Sequence, residues 1–586
     1  MTDNYQFAKS NLSEGVDSYS PFTDKQFNYL NDINSGVYQN SGLTLVQWDL
    51  SSIYNSSKFS DLSECYVTIP IVLSAGLASG AAPPVAIAPI AGSFSLLSMK
   101  SNFVNLVHQG DLQVSGSSVE QTQPFLNVFQ NFRMLSEMSQ NDLKSIGTSL
   151  GFSQCVDTPS STKWNGAVSN AGIPTACVAG GNGLCNNFPF PVVGSLGSDS
   201  QLAFGTQNLN VVNKAIQERV SRYYDVSNNT TNNIIGTGGV PTSANAGNIM
   251  TAIQLNNEFK PYYQVLNTNY MVWYDVAVIR LGDIFDSMKQ LGMLKRFDGV
   301  LRLYLNTGAV QVNVTAPTAD TTYQFQYSNS TFTNTIPFTV NYVRAALPAN
   351  TATITAGCNI ARPSQTNFNT AINLSASGAS HPMNACRFYY SQITMSPEKS
   401  LKFIESNRNK EIVYRTILSN NYSNTTAGSS FNQLVNAGIK NLIGVLIIPC
   451  VASSLLLFPE YSSPFDTFGS TYCPISLINV QASVGGTNLK TNPEIYTFEN
   501  FLNEVKDFES LTSSDFGVSV GLINQQWWEQ NRVYYLSCRS TDADKATPRS
   551  LNVSFVNNSQ VPIDVMIFTL YLDKFIVDVS SGIIKK

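Results

Sequence analysis

Charge is the scarcest ingredient of this chain: Asp, Glu, Lys and Arg make up only 12% of its 586 residues, about half the usual share. Solvated surfaces usually carry more, so much of this surface is expected to be covered by partners instead of water. An extracellular protein with an uncharged polar surface is the alternative. A basic tract is also missing. The net charge is −5, and residues 1–40 hold Lys9 and Lys25 against Asp3, Glu14, Asp17, Asp24 and Asp32. Lys and Arg neutralise phosphates in nucleic-acid binding, so an N-terminal arm that grips a genome is not expected, nor is sequence-specific nucleic-acid binding.

Other absences narrow the field further. The N-terminus, Met1-Thr2-Asp3-Asn4-Tyr5, has no basic and apolar export signal. The nine cysteines are odd in number and scattered, which fits reduced thiols. Cys65, Cys450 and Cys538 lie in or beside apolar strand-like runs, where a thiol behaves as a small hydrophobe. Sequons at Asn55, Asn313, Asn421 and Asn552 are then chance products of an Asn- and Ser-rich chain. Residues 66–99 and 441–459 carry no charge and are long enough to suggest membrane spans. Pro70, Pro83, Pro84 and Pro89 break the first, and the second is β-branched and ends in Pro449. Both read as buried strands.

A repeat is present. Phe125-Leu126-Asn127 runs on to Phe132, and Phe501-Leu502-Asn503 runs on to Phe508 with the same spacing. Upstream stand two apolar runs broken by Ile-Pro, Thr68-Ile69-Pro70-Ile71-Val72-Leu73-Ser74 and Ile447-Ile448-Pro449-Cys450-Val451-Ala452-Ser453. Between run and helix, Gly110-Asp111-Leu112-Gln113 is matched with Thr487-Asn488-Leu489-Lys490. Two copies so far apart indicate two similar domains, not a solenoid of short units. The chain is also too long for one core.

Each copy has a similar grammar. In the first, strands are expected at Leu43–Leu50, Tyr66–Ser74, Phe94–Val107, Leu112–Ser115, from Tyr270 to Val276, and from Val300 to Leu305. A helix at Pro124–Leu135 places Phe125, Phe129, Phe132 and Leu135 on one face. Asp283 is expected to cap a helix bearing Phe285, Met288 and Leu291. The second copy opens at about Arg387, with a helix signature at Ser396-Pro397-Glu398. Its strands are Glu411–Leu418, Leu442–Val451, Ile475–Val484, from Val533 to Leu536, Leu551–Val556 and Val565–Val579. Asn492-Pro493 is expected to open the helix carrying Phe501. The first copy holds its extra residues between helix and next strand, a stretch too long for an ordinary connection. Trp164, Phe188, Phe190 and Leu202 give that stretch something to pack.

Many short strands, turn-rich connections and one helix between middle strands describe a mainly β chain of two antiparallel jelly-roll sandwiches. The boundaries are an N-terminal segment 1–40, a first jelly roll 41–315 with its insertion at about 151–250, a connection 316–384, and a second jelly roll 385–586. Four stretches carry a family likeness. They are Asp61-Leu62-Ser63-Glu64-Cys65-Tyr66-Val67-Thr68-Ile69-Pro70, Pro397-Glu398-Lys399, the run from Gly438 to Pro449, and Trp527-Trp528-Glu529-Gln530-Asn531-Arg532-Val533-Tyr534-Tyr535-Leu536-Ser537. On these the chain resembles the double jelly-roll major capsid proteins of double-stranded DNA viruses, of the polinton-like virus and virophage type. The resemblance implies a structural role: homotrimers forming pseudo-hexameric capsomers, which tile an icosahedral shell and touch neighbouring capsomers and penton or minor capsid proteins. It further implies residence in the virion after synthesis in host cytoplasm or nucleus, without secretion. The stretches 151–250 and 315–384 would rise from the outer ends as towers.

Signs of chemistry are few. The two histidines, His108 and His381, stand in no ligand spacing, and His108 reads as a turn residue. Cys155, Cys177 and Cys185 share one stretch but lack zinc spacing. No Walker loop or dinucleotide fingerprint occurs. Asp61 and Glu64 would be the carboxylates of a glycosidase reading; carboxylates bordering a strand are more often solvated ends. No catalytic, cofactor or metal residue is assigned, and no cofactor. The alternatives are an extracellular lectin-like or fibre protein and a carbohydrate-active enzyme.

Overall fold

The computed structural model describes most of residues 22–77, 94–151, 262–315, 381–452, 475–538 and 547–585, and short strands at 224–225, 324–327, 338–343 and 352–360. The first sandwich contains β1 (Asp24–Asn31), β2 (Leu43–Asp49), β3 (Tyr66–Leu77), β4 (Val107–Val114), β5 (Ser117–Gln121), helix α1 (Leu126–Glu137), β6 (Tyr270–Arg280), β7 (Gly299–Asn306) and β8 (Arg387–Thr394). Helix α2 (Pro397–Ser406) leads to the second. There follow β9 (Asn409–Thr425), β10 (Ser430–Ile439), β11 (Leu442–Val451), β12 (Leu477–Val484), β13 (Thr487–Asn488), helices α3 (Phe498–Val505) and α4 (Gln525–Gln530), β14 (Tyr534–Ser537), β15 (Arg549–Asn557) and β16 (Ile563–Asp578). Pairing runs β1-β8-β3-β6 in one layer and β2-β7-β4-β5 in the other. In the second sandwich it runs β9-β16-β11-β14 and β10-β15-β12-β13. The two orders are identical strand for strand, and each is that of a jelly roll.

The amino acids explain why these strands lie where they do. Residues 442–450 of β11 and Ile563–Leu570 of β16 are buried at both parities, as expected of strands covered on both faces. Proline is tolerated inside two central strands because each sits where a neighbour has ended. β8 pairs with β3 only as far as Thr68, and the strand 352–360 takes over from Ile71, leaving Pro70 in the gap. Likewise β14 pairs with β11 only up to Ile447, short of Pro449. No ladder bond on that side asks for the missing N–H. The β12–β13 hairpin turns through Gly485 and Gly486, both at positive φ.

Several expectations are corrected. Arg387–Thr394, expected to open the second copy, is instead the closing strand β8 of the first, paired with β1 along its whole length. The stretch 316–384 therefore lies inside the first sandwich's β7–β8 connection. Residues 24–31 belong to the sandwich core sheet and not to a separate N-terminal segment. The repeat marks equivalent helices but not equivalent positions: Phe125 stands before α1 with φ 65°, whereas Phe501 lies inside α3. Gly110–Gln113 lies in β4, whereas Thr487-Asn488 forms β13, the counterpart of β5. Phe94–Val107 breaks into a strand Phe94–Met99, a 3-10 turn and the start of β4. Asp283 caps nothing; it sits within a turn of helix Leu281–Ile284 and pairs with Arg280. The helix expected from Asn492 begins at Phe498. The towers and Cys155, Cys177 and Cys185 lie largely outside the described residues.

Among the described residues no helix is long and apolar enough to cross a membrane. The three long connections of the first sandwich (β3–β4, β5–β6, β7–β8) leave from one end, because alternate antiparallel strands finish there. The other end carries short turns, α2 and the final residues. Lys295 N donates to Val579 O at 3.1 Å, and Val579 N to Arg408 O at 3.1 Å, joining the short-turn ends of both sandwiches. The two therefore stand side by side and the same way up.

Candidate functional site

Helix α1 is buried on all sides from Leu126 to Ser136, where an amphipathic face alone was expected. It is wedged between the sandwiches. Phe129 meets Phe568 of β16 with ring centroids 5.8 Å apart, and Phe132 meets Phe501 of α3 at 6.4 Å. A single cluster of buried apolar side chains runs through both sandwiches across this seam. Leu522 N donates to Leu135 O at 2.8 Å and closes the lower end of the helix.

Beside these rings lies a buried charge cluster that sequence reading missed. Arg133 on α1 binds Glu137 one turn on (3.0 Å) and Asp286 (2.7 Å). Arg415 of β9 reaches across the seam to Glu137 at 2.9 Å, and its backbone N–H donates to Asp286 at 2.9 Å. Lys289 flanks both carboxylates at 3.9 and 3.7 Å. Burial alone would raise Asp286, but Arg133, Arg415 and Lys289 outweigh it and hold its carboxyl at about 2. Glu137 is held low against its burial by the same cations. The sequence signal was slight: an i, i+4 Arg-Glu pair on an otherwise uncharged helix, and a single Arg in β9.

The outer face of the sheet β1-β8-β3-β6 has a different character. On β8, Phe388 and Tyr390 enter the core, so Tyr389 points outward. There it stacks on Tyr66 at 4.7 Å and meets Tyr29 of β1 at 5.6 Å. Arg387 lies over Tyr29 at 4.9 Å, and Lys25 over Phe27 at 5.4 Å. Phe27 is 58% and Tyr29 51% exposed. The equivalent sheet face of the second sandwich, around Phe568 and Leu570, is covered by α1.

The residues considered for chemistry do not converge. His108 is edge-on to Phe125 and burial lowers its pKa. His381 accepts the Met383 N–H at 3.0 Å and burial pushes it down to about 4. Asp61 accepts from Ser63 N and Oγ at 3.0 and 2.6 Å as the cap of a 3-10 turn. Glu64 pairs with Lys25 at 2.7 Å. Neither carboxylate is left to act with the other. A Gly147-Thr148-Ser149-Leu150-Gly151 string has nucleophile-elbow spacing. It follows a helical turn, and Ser149 Oγ donates to Ile146 O, so the strand-to-helix context is missing. Cys65, Cys358, Cys386, Cys450 and Cys538 are buried thiols outside any disulfide, and burial pushes Cys538 up to about 12. No metal-holding cluster occurs among the described residues.

No family model and no curated protein matches the chain. Among solved structures it is similar to a chain of the Sputnik virophage determined by cryo-EM. That match has 9% identity and a TM-score of 0.49, and covers 98% of this chain and 90% of that one. It is also similar to the Faustovirus major capsid protein, with 9% identity, a TM-score of 0.41 and coverage of 96% and 92%. The mavirus major capsid protein matches with 8% identity, a TM-score of 0.40 and coverage of 98% and 92%.

Proposed function

We propose that this chain is a structural shell subunit, the major capsid protein of an icosahedral virion, and that three copies close into a capsomer of pseudo-hexagonal outline. One observation carries the reading: equivalent sheet faces of the two sandwiches are treated differently. The second is covered by α1 from within the chain, while the first bares Phe27 and Tyr29 beside the half-buried Tyr389 and Tyr66. A contact that joins unlike faces head to tail makes a ring when its rotation closes. With two like units per chain, three chains supply the six positions of a hexagonal outline. Such closure also covers the free edge of β1, which is otherwise a template for aggregation.

The first unit then extends to β8 and the second begins at β9, with α2 as linker. The long-connection end faces outward and the short-turn end faces inward. Neighbouring capsomers and penton or minor capsid proteins are the partners, and the virion is the location. Light scattering with negative-stain microscopy tests the reading on purified chain. The expected result is trimers with a six-lobed outline, and monomers from Phe27→Asp/Tyr29→Asp with an unchanged circular dichroism spectrum. A wild-type chain that stays monomeric at high concentration overturns it and favours the lectin-like alternative.

A further inference from the structure

We propose that the outer side of α3 seats on the aromatic patch of β1 and β8 in a second copy of this chain, repeating between chains the contact that α1 makes with β16 within one. The inference rests on the assembly reading and names the two surfaces that the ring brings together. Each sandwich has a helix beside it and an outer sheet face. Inside the chain, the helix of the first meets the sheet of the second: Phe129 on α1 reaches Phe568 of β16 at 5.8 Å, and Glu137 binds Arg415 of β9 at 2.9 Å. One helix side and one sheet face are left over, and they belong to opposite units. A contact between them runs head to tail.

On α3 the open side is a narrow stripe. Phe498 and Phe501 pack on Trp528 at 6.1 and 6.2 Å, Val505 is buried, and Phe501 also meets Phe132 of α1. Glu504 accepts the Ser537 N–H at 2.8 Å and pairs with Lys490 at 3.1 Å. At about 100° of turn per residue, Ile495, Glu499, Leu502 and Asn503 share the remaining side. Ile495 precedes the helix, but Asn500 Nδ2 donates to its carbonyl at 3.3 Å and holds it against the first turn. Ile495 is 77% exposed; Glu499 and Asn503 are exposed, and Leu502 is half-buried. The matching helix of the first sandwich, α1, is buried on all sides from Leu126 to Ser136.

The open sheet face stands at the corresponding place. Tyr29 and Tyr389 are cross-strand partners, as are Arg415 and Leu572. With β8 ending at Thr394 and β16 at Asp578, the two pairs lie at nearly the same height above the short-turn end. Higher on the face of the first sandwich, Val72 and Tyr274 are buried and Tyr274 meets His381 at 6.2 Å. The chain's own β7–β8 connection therefore covers that part. What remains crosses β1, β8 and β3, about 10 Å at the usual strand spacing. The eight residues of α3 make a helix about 12 Å long, a matching span. Charge is ordered alike in both contacts. Within the chain, Glu137 at the helix meets Arg415 on edge strand β9. Between chains, Glu499 at the helix meets a face bearing Lys25 and Arg387, which lie over Phe27 and Tyr29. Such charges fix orientation more than they add affinity, and burial of Ile495 against the rings supplies the affinity.

The test places the photo-reactive residue benzoylphenylalanine at Glu499 or at Asn503 of the full chain, one site at a time. Isotopically heavy and light copies are mixed, irradiated and analysed by mass spectrometry. The expected products join α3 of one copy to residues 24–31 or 387–394 of the other. Trimers whose cross-links reach other residues, or stay within one copy, overturn the docking and leave the assembly reading standing. A chain that stays monomeric overturns both. A second measurement uses substitutions and sedimentation. Ile495→Asp is expected to raise the concentration at which trimers dissociate by about tenfold or more, with an unchanged circular dichroism spectrum. Leu434→Asp, at a residue 57% exposed on the other sheet of the second sandwich, is expected to leave it unchanged. No shift from Ile495→Asp, or equal shifts from the two substitutions, also overturns the docking.

Discussion

At the scale of single residues, the most consequential side chains sit where the two sandwiches meet. Phe132 is fully buried and touches Phe501 across the seam, so its removal opens a cavity that neither sandwich can close alone. Phe132→Ala is expected to cost about 3–5 kcal/mol, read as a lower denaturant midpoint. Asn131, on the same helix, forms a buried amide cluster with Asn102 and Asn105. Buried polar groups that find partners fix one geometry, and here they set the position of α1 against its own sandwich. Residue identity alone showed that these side chains were apolar or amide. It did not show which were shared between units, because that depends on partners hundreds of positions away.

At the scale of elements, strands and helices were largely legible where the pattern is local. The Ile-Pro strands β3 and β11, the Ser-Pro start of α2 and the strand at Tyr270 all occur as expected. Element type follows from runs of β-branched residues and from breakers, which act over a few residues. Ownership was not legible. β8 looks like any other half-buried strand, and only its pairing with β1 and β3 assigns it to the first sandwich. Strand-level packing makes a prediction at Gly444. A Cβ there would run into the Tyr535 ring and lie 2.9 Å from Leu536 O, on the side where β11 pairs with β14. Gly444→Ala is expected to destabilise by about 1–3 kcal/mol through this overpacking. Thermal melting and loss of amide protection in β14 check it.

At the scale of the whole molecule, one buried cluster continues through both sandwiches, and Arg415 ties the second to Glu137 and Asp286 of the first. The two units are therefore expected to unfold in a single calorimetric transition despite their separate jelly-roll topologies. Breaking a buried pair leaves an uncompensated charge, so Arg415→Ala should cost about 3–5 kcal/mol. It should also split that transition into two, whereas a single shifted peak would mean that the apolar contacts alone couple the units. Only at this scale does the difference between the covered and bare sheet faces emerge.

Taken by itself, the amino-acid order determined that this is a mainly β chain of two like units, poor in catalytic groups, with a large insertion in the first. Those properties reside in composition and short-range pattern, which are set before any distant contact forms. The tertiary structure alone decided that residues 387–394 close the first unit, that α1 is wedged between the units, and that Glu137 and Asp286 face a charge on the second. It also decided which aromatic rings remain bare. Pairing partners, burial of charge and free faces are outcomes of long-range register, as with Asp24 against Thr394, and no local pattern encodes them.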